Sequence, residues 1–211
     1  MIRMASENFE TFMRIFFGDP FEAAHDGIDP KILLSLKGDE KEQAQKLLLD
    51  AIENSEDNRP FVGVGHLELK SASEIIKRRL SKDFRWAYTK VEAAWALWKI
   101  EKDPEAITII LSVLKDKNQG EFTRIVAVGA LRDFGKRKDV VSALVDAFSN
   151  EKDNSLVGSV AFETVGYLFS SDARIRDLVN LILDTKREER FKFRRVEIKE
   201  LKDLIRRQMK H

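Results

Sequence analysis

The chain has 211 residues, of which 43% are hydrophobic and 35% charged, and its formal net charge is +1. This length and composition are typical of a globular protein with a sizeable core, and no apolar run reaches the roughly 18 residues of a membrane span. The sequence contains no cysteine, which excludes disulfides, thiolate nucleophiles and cysteine-ligated zinc; a cytoplasmic, reducing setting is expected.

The charge is unevenly distributed along the chain. Residues 1–60 carry a net charge of −6 and residues 186–211 a net charge of +6. If sequence order becomes spatial order, one end of the molecule is acidic and the other basic, which would suit head-to-tail contacts or two different partners. The alternative interpretation is that these charges are solvated helix faces.

The first 58 residues are predicted to form a helical cap region. The segment Glu7–Phe17 presents its phenylalanines on one face of a helix. We expect this face to cap the first of the repeated helix pairs that follow in the chain. Docking to a membrane surface is the alternative, which Glu7 and Glu10 on the polar face disfavour. Asp29-Pro30 is expected to open a short helix that ends at Gly38, and Asp39–Asn54 a longer one.

Residues 59–88 are predicted to contain one looser pair of helices. The segment Arg59–Leu67 includes Gly63 and Gly65, which weaken the helical pattern. The spacing of Ser71 and Glu74 is that of a capping box, which predicts a helix from there to Leu80.

A repeat of 34 residues dominates residues 89–184. Residues 89–100 match residues 123–134, and a weaker third copy occupies residues 157–168. Each copy is followed by a second apolar stretch in the same register, and Asp103-Pro104 has the residues of a helix start. A period of this length is typical of stacked helical hairpins, and apolar spacings of three and four exclude strands.

Two features of the first helices predict how they pack. The slot shared by Ala93, Ala127 and Ala161 holds a small side chain in every copy, as close helix stacking requires. Apolar residues also recur at helical spacing, which predicts a buried face in each of the first two copies. The members of these faces are Tyr88, Val91, Ala94, Leu97 and Ile100, and then Phe122, Ile125, Val126, Gly129 and Ala130.

The hairpins resemble HEAT repeats, particularly the short type of the phycobilisome-lyase group. The resemblance rests on Lys90-x-x-Ala93-x-x-Ala96-Leu97 and on Arg124-x-x-Ala127-x-x-Ala130-Leu131, while the third copy departs with Gly158 and Thr164. It implies an all-α fold, a right-handed α-solenoid of about four to five stacked hairpins with helical caps. Residues 59–184 would form the repeats and residues 185–211 a basic capping helix with Ile198, Leu201, Leu204 and Ile205 on its apolar side.

In a solenoid of this family the second helices line the concave surface, which is then the expected binding surface. The positions of those helices that packing does not use are polar and would form a strip across the stack. They are Thr108, Ser112, Ser142, Asp146, Arg176 and Asn180. The other interpretation is that they only face solvent and that a partner binds elsewhere.

The remaining candidates are aromatic or basic. Trp95 and Trp98 could be exposed anchors, although burial against the preceding repeat is the expected role. The basic C-terminal segment could bind phosphate or an acidic protein, or its charges could pair within the helix.

Catalytic chemistry has little support in the sequence. His25, His66 and His211 share no metal-ligand spacing, so neither a metal nor another cofactor is expected, and no nucleophile or phosphate-loop motif occurs. The predicted function is therefore a non-enzymatic scaffold or adaptor that binds another protein, in an unknown oligomeric state. The alternative is a nucleic-acid binder related to HEAT-like DNA glycosylases for alkylated bases, for which Asp146, Arg176 and the tryptophans are the available residues.

Overall fold

The computed structural model describes residues 5–19, 28–150, 156–184 and 190–209. Within these ranges, the side chains of residues 150, 180, 182–184 and 190–198 are not described. Within these ranges every regular element is helical, so the predicted all-α class is confirmed. The chain divides into two compact units, Met1–Ile109 and Ile110–His211. The predicted boundaries after residues 58 and 184 stay predictions.

The described α-helices fall into the two units as follows. The first unit contains α1 (Glu7–Phe17), α2 (Lys31–Ser35), α3 (Gly38–Asn54), α4 (Arg59–His66), α5 (Ser73–Leu80) and α6 (Ala87–Glu101). Helix α7 (Pro104–Lys115) runs across the division. The second unit contains α8 (Glu121–Leu131), α9 (Lys138–Asn150), α10 (Leu156–Leu168), α11 (Ala173–Asp184) and α12 (Arg190–Gln208).

Helix α1 has the bounds and the buried face that its sequence predicts. Ser6 caps it by accepting a hydrogen bond from the backbone N–H of Phe9 (3.2 Å). Phe9, Phe12 and Phe16 are buried, and the rings of Phe12 and Phe16 lie 5.3 Å apart. The phenylalanine-rich face is therefore part of the core of the first unit rather than an open docking surface.

The residues after α1 contain two differences from the predicted helix ends. Helix α2 stops at Ser35, and Gly38 begins α3 with a φ of +54° instead of closing α2. Ser71 belongs to a short 3-10 turn, Lys70–Ala72, and no side chain caps α5. Gly38 thus begins the following helix, and Ser71 lies in the 3-10 turn that precedes α5.

Helix α4 contains two glycines because it passes very close to its neighbours. A Cβ on Gly63 would lie 2.8 Å from Cδ2 of Leu48 on α3, and a Cβ on Gly65 would lie 2.5 Å from Cζ3 of Trp95 on α6. Trp95 is buried under this contact, as expected for packing against the preceding pair. The glycines that weaken the helical pattern are thus what allows this helix to pack.

The same packing scheme recurs within each unit. In the first unit α1 and α3 both pack against α4, and α4 and α5 both pack against α6. In the second unit α8 and α9 both pack against α10, which also contacts α11. The position that holds a small residue in every copy is buried each time, since Ala93, Ala127 and Ala161 are fully buried. Within each unit, therefore, a helix packs against two helices that precede it in the sequence.

The buried face of α8 differs from the predicted one. Phe122 is 65% exposed, Ile125 and Val126 are half-buried and Gly129 is exposed. The covered residues are Arg124, Ala127, Val128, Ala130 and Leu131. Helix α8 is apolar around most of its circumference, so its periodicity alone does not select the face that α10 covers. The stripe predicted for α6 is correct for Val91, Ala94 and Leu97.

Arginine side chains tie the ends of helices to the next pair. The Nε of Arg124 donates to the carbonyl oxygen of Leu114 (2.9 Å), near the end of α7. In the first unit Nη1 of Arg79 donates to the carbonyl oxygen of Glu53 (3.1 Å) near the end of α3. Such bonds satisfy carbonyl groups that a helix terminus leaves unpaired. The basic residue of the second repeat copy, Arg124, is thus a structural residue.

Among the described residues, no helix combines the length and apolarity that crossing a membrane requires.

Leu97→Ala and Leu131→Ala should each lower the free energy of unfolding by about 2–5 kcal/mol, because both side chains are buried and their loss leaves cavities. Lys99→Ala should change it by less than about 1 kcal/mol. Chemical denaturation of the three variants measures the differences. A larger effect at Lys99 than at either leucine would contradict the assigned helix faces.

Two glycine substitutions should have opposite signs. Gly65→Ala should destabilise the protein by about 1–3 kcal/mol, because the new methyl group meets the buried ring of Trp95. Gly129→Ala should stabilise it by about 0.5–1 kcal/mol, because nothing lies within 4 Å of the added Cβ and alanine favours the helix interior. Thermal unfolding of both variants tests the pair, and a stabilising Gly65→Ala would refute the close approach of α4 and α6.

Candidate functional site

The positions predicted for the polar strip are exposed on the second helices. Thr108 and Ser112 lie on α7, Ser142 and Asp146 on α9, and Arg176 on α11, and each of these side chains is exposed. The side chain of Asn180 lies outside the described residues. Thr108 belongs to the first unit and the other four to the second, so the second unit alone holds most of the strip.

A cavity of about 400 Å³ opens next to the strip in the second unit, between α9 and α12. Its apolar walls are formed by Val141 and Val145 of α9 and by Ile205 and Met209 of α12. Val141, Val145 and Ile205 are buried, with at most 8% of each residue exposed, so these three side chains contribute little accessible surface to the cavity. The volume lies within the range of about 300–1,000 Å³ that is usual for small-molecule sites.

Polar and charged side chains complete the lining of this cavity. From α9 come Lys138, Ser142 and Asp146, and from α12 come Lys202 and Arg206. Spacings of three and four residues bring these side chains to one face of each helix. Three cations, Lys138, Lys202 and Arg206, and one carboxylate, that of Asp146, belong to the lining.

The apolar side of α12 holds this helix in position. Leu201, Leu204 and Ile205 are buried, as the sequence predicts, while Ile198 lies outside the described side chains. Nε2 of Gln208 donates to Oδ2 of Asp172 at the start of α11 (2.6 Å). Because exposed polar contacts contribute little, the buried leucines and isoleucine supply most of the free energy that keeps α12 in position.

Asp146 also lines a second, smaller cavity of about 230 Å³ near the end of α7. The other charged residues there are Lys115, Lys117 and Arg124. The carboxylate of Asp146 thus faces cations on this side as well. Asp146 thus lines both cavities, whereas Lys202 and Arg206 line the cavity of about 400 Å³ and not the one of about 230 Å³.

Sequence reasoning identified two residues of the larger cavity and missed its basic ones. Ser142 and Asp146 were predicted from the unused positions of the second helix, whereas Lys138 was not predicted and Arg206 was predicted only as part of the basic C-terminal segment. The helical spacing of Lys138 with Ser142, and of Lys202 with Ile205 and Arg206, was the available signal. What the spacing does not reveal is that α9 and α12 face each other.

The tryptophans have different roles from one another. Trp95 is buried against Gly65 and lies 5.0 Å from the ring of His66, so it does not offer a surface for stacking a nucleic-acid base. Trp86 is 46% exposed and lies beside Tyr88 and the guanidinium of Arg85. The nucleic-acid alternative requires an exposed aromatic side chain, and Trp86 is the exposed tryptophan in the first unit.

The accessible lining of the α9–α12 cavity is largely charged or polar, with Lys138, Lys202 and Arg206 against Asp146. Lysine and arginine donate hydrogen bonds to carboxylate or phosphate oxygens. No group of three or more His, Cys, Asp or Glu side chains converges as a metal site in the described ranges.

One carboxyl group of the first unit has a strongly perturbed acidity. Desolvation raises the pKa of Glu92, on α6, from its ordinary value of 4.5 to about 7. The residue is half-buried among the buried positions of α6, where water hydrates the charged carboxylate poorly. Glu92 therefore changes its charge close to neutral pH.

Comparison of the chain with protein-family models, curated proteins and solved structures finds no match.

The titration of Glu92 should make stability depend on pH. Between about pH 4.5 and pH 7 the folded protein binds a proton that the unfolded chain has released, so the free energy of unfolding falls as pH rises. Glu92→Gln should remove this component and stabilise the protein at pH 8 by roughly 1–3 kcal/mol, the partial exposure of the side chain limiting the effect.

Chemical denaturation of both proteins at pH 5 and pH 8 measures this contribution. Glu163→Lys, which alters an exposed position of the second unit, is the control and should keep the pH dependence of the unsubstituted protein. An unchanged pH dependence in Glu92→Gln would show that another group is responsible.

Proposed function

We propose that the protein is a HEAT-like helical-repeat scaffold that binds another protein and carries out no chemical step. In this proposal its hairpins stack as a right-handed solenoid, and the polar strip of the second helices is the partner surface. The recurrent packing of two helices against the next first helix, within each unit, is what the stacked arrangement requires.

The single observation that carries the proposal is the exposure of the strip. Five of its six positions have described side chains, and all five are exposed although they alternate with buried residues on the same helices. On α9, for example, Ser142 and Asp146 are exposed whereas Val141, Ala143 and Val145 are buried. A surface of hydroxyl, carboxylate and guanidinium groups on rigid helices suits recognition by hydrogen bonds and charge.

The charges of the strip support a polar partner surface. Asp146 has no ion-pair partner among the described residues, and Arg176 makes a 3.3 Å contact with its exposed neighbour Asp177. Neither side chain would need to leave a buried pair in order to bind a partner. Charges available in this way govern orientation and the rate of association more than affinity.

A charge-reversal experiment tests the proposal. The double variant Asp146→Lys, Arg176→Glu should lose partner capture by at least about tenfold, because reversing two interface charges costs several kcal/mol in binding. Affinity capture with the purified chain, followed by mass spectrometry and a binding measurement with the identified protein, gives the comparison. Circular dichroism should show unchanged helicity.

A matched control keeps the same net charge and alters other surfaces. Glu163→Lys, Arg207→Glu changes two exposed residues on α10 and α12 that belong neither to the strip nor to the described cavity lining. It should capture the partner as the unsubstituted chain does. Equal capture by the strip variant and the control would refute the strip as the partner surface. Retention on heparin that weakens steeply with salt would favour the nucleic-acid alternative.

A further inference from the structure

The outer sides of α8 and α10 carry large apolar side chains that the chain leaves open to solvent. Phe122 on α8 is 65% exposed, and Leu156 and Tyr167 on α10 are 57% and 54% exposed. Within the described ranges three other large apolar residues are exposed, and each of those lies on a different segment. Single exposed apolar side chains are ordinary, whereas a group of them on two packed helices indicates an interaction surface.

Two contacts bring these side chains onto one surface. At the start of the two helices the backbone N–H of Leu156 donates to Oε1 of Glu121 (2.7 Å). In the 3-10 turn after α8, the guanidinium of Arg132 lies 3.6 Å from the centre of the Tyr167 ring in the last turn of α10. The two helices therefore run side by side in the same direction, with their starts together and their ends together.

The exposed positions form one row along each helix. On α10, Leu156, Glu163 and Tyr167 are exposed at spacings of seven and four residues, which lie on one side of a helix. On α8, Phe122 and Gly129 are exposed at the same spacing of seven. Phe122 and Leu156 are 34 positions apart, as are Gly129 and Glu163, so the two rows hold equivalent positions of the repeat.

The exposed charges of this face are complementary to one another. Arg132 and Glu163 are exposed, and neither has an ion-pair partner among the described residues. Stacking on Tyr167 leaves the N–H groups at the edge of the Arg132 guanidinium open to a carboxylate. Glu163 precedes Tyr167 by one helical turn, about 6 Å along the axis. A cation and a carboxylate thus lie on one surface without being paired.

A second copy of the same face satisfies both charges at once. Rotation by 180° about an axis parallel to α8 and α10 sets α8 of each copy against α10 of the other. Arg132 then lies within one helical turn of Glu163 of the second copy, and the same pair forms again on the other side of the axis. Asp133, which is also exposed, faces the hydroxyl of Tyr167 in the second copy, and a phenol donates to a carboxylate.

The apolar area is sufficient for such a contact because a two-fold axis uses every residue twice. An aromatic side chain buries about 150–250 Å², so the exposed fractions of Phe122 and Tyr167 correspond to about 100 Å² or more each. Counted in both copies, they supply at least about 400 Å² of the roughly 1,200–2,000 Å² that a stable interface buries. Leu156 and the half-buried Val126 and Val160 add to this area.

We propose that the outer face of α8 and α10 is the interface of a two-fold symmetric dimer of this chain. Phe122, Leu156 and Tyr167 form its apolar centre, and Arg132 of each copy pairs with Glu163 of the other. The strip lies on α7, α9 and α11, so this inference goes beyond partner binding by the strip and does not depend on it. Substitutions at Glu163 alter the α8–α10 face and leave the residues of the strip unchanged.

Sedimentation equilibrium of the full chain tests the proposal. The mass should rise from 24.3 kDa toward twice that value as the concentration passes through the micromolar range. Arg132→Glu and Glu163→Arg should each weaken the dimer by about tenfold or more, because each sets like charges together twice. The double variant Arg132→Glu, Glu163→Arg should return the dissociation constant to within about threefold of the unsubstituted chain, because the exchanged charges pair again.

Matched variants separate this face from other surfaces. Leu156→Ser should weaken the dimer by about tenfold or more, since the contact buries this leucine twice. Leu34→Ser makes the same change at a leucine of the first unit that is 71% exposed, and it should leave the dissociation constant within about twofold. Arg207→Glu on α12 is the control for charge and should also have little effect. Circular dichroism confirms that each variant is folded.

Three results would overturn the proposal. The first is a mass of 24.3 kDa at every concentration. The second is a charge-exchanged double variant that dissociates as readily as the two single variants, and the third is a loss of affinity in Leu34→Ser that equals the loss in Leu156→Ser. A monomeric chain that captures another protein through Phe122 and Leu156 would assign the face to a different partner instead.

Discussion

Close approach of helices at positions that hold only alanine or glycine is the constraint on which the other features depend. Ala93, Ala127 and Ala161 are fully buried, and Gly65 leaves no room for a Cβ beside Trp95. Interiors pack to crystal-like density, so a larger side chain at these positions would push neighbouring helices apart. Within each unit, the packing of two helices against a following helix depends on this fit.

The polar positions of the second helices are a consequence of that arrangement. Once Val141, Leu144, Val145 and Phe148 of α9 are used for packing, Ser142 and Asp146 remain on the open side. The apolar residues of α12 are buried in the second unit, while its Lys202 and Arg206 line the same cavity as Ser142 and Asp146. Buried apolar residues and exposed polar residues thus alternate on the same helices.

Helix positions were largely predictable from the sequence, because start signals and helical spacing act over a few residues. The bounds of α1, the proline at the start of α7 and the apolar side of α12 are examples. The predictions failed where two local signals competed. Gly38 has the chemistry of a helix end but begins α3 with a positive φ, and Ser71 lies in a 3-10 turn rather than at a cap. In each case the direction of the following segment decided between conformations of similar local free energy.

The sequence by itself determined the helical class, the 34-residue period, the small-residue slots and the exposed polar positions, because each is a property of spacing along one helix. Only the tertiary structure decided which side of α8 is covered and that α12 faces α9. Helix α8 is apolar on several sides, with Phe122 exposed and Val128 buried, and nothing in its own spacing distinguishes the two. Likewise, Lys138 and Lys202 are 64 positions apart in the sequence. They line one cavity only because α9 and α12, which carry them, are brought together within the second unit. Contacts between distant segments depend on the fit of whole helix faces, which periodicity within a single helix does not encode.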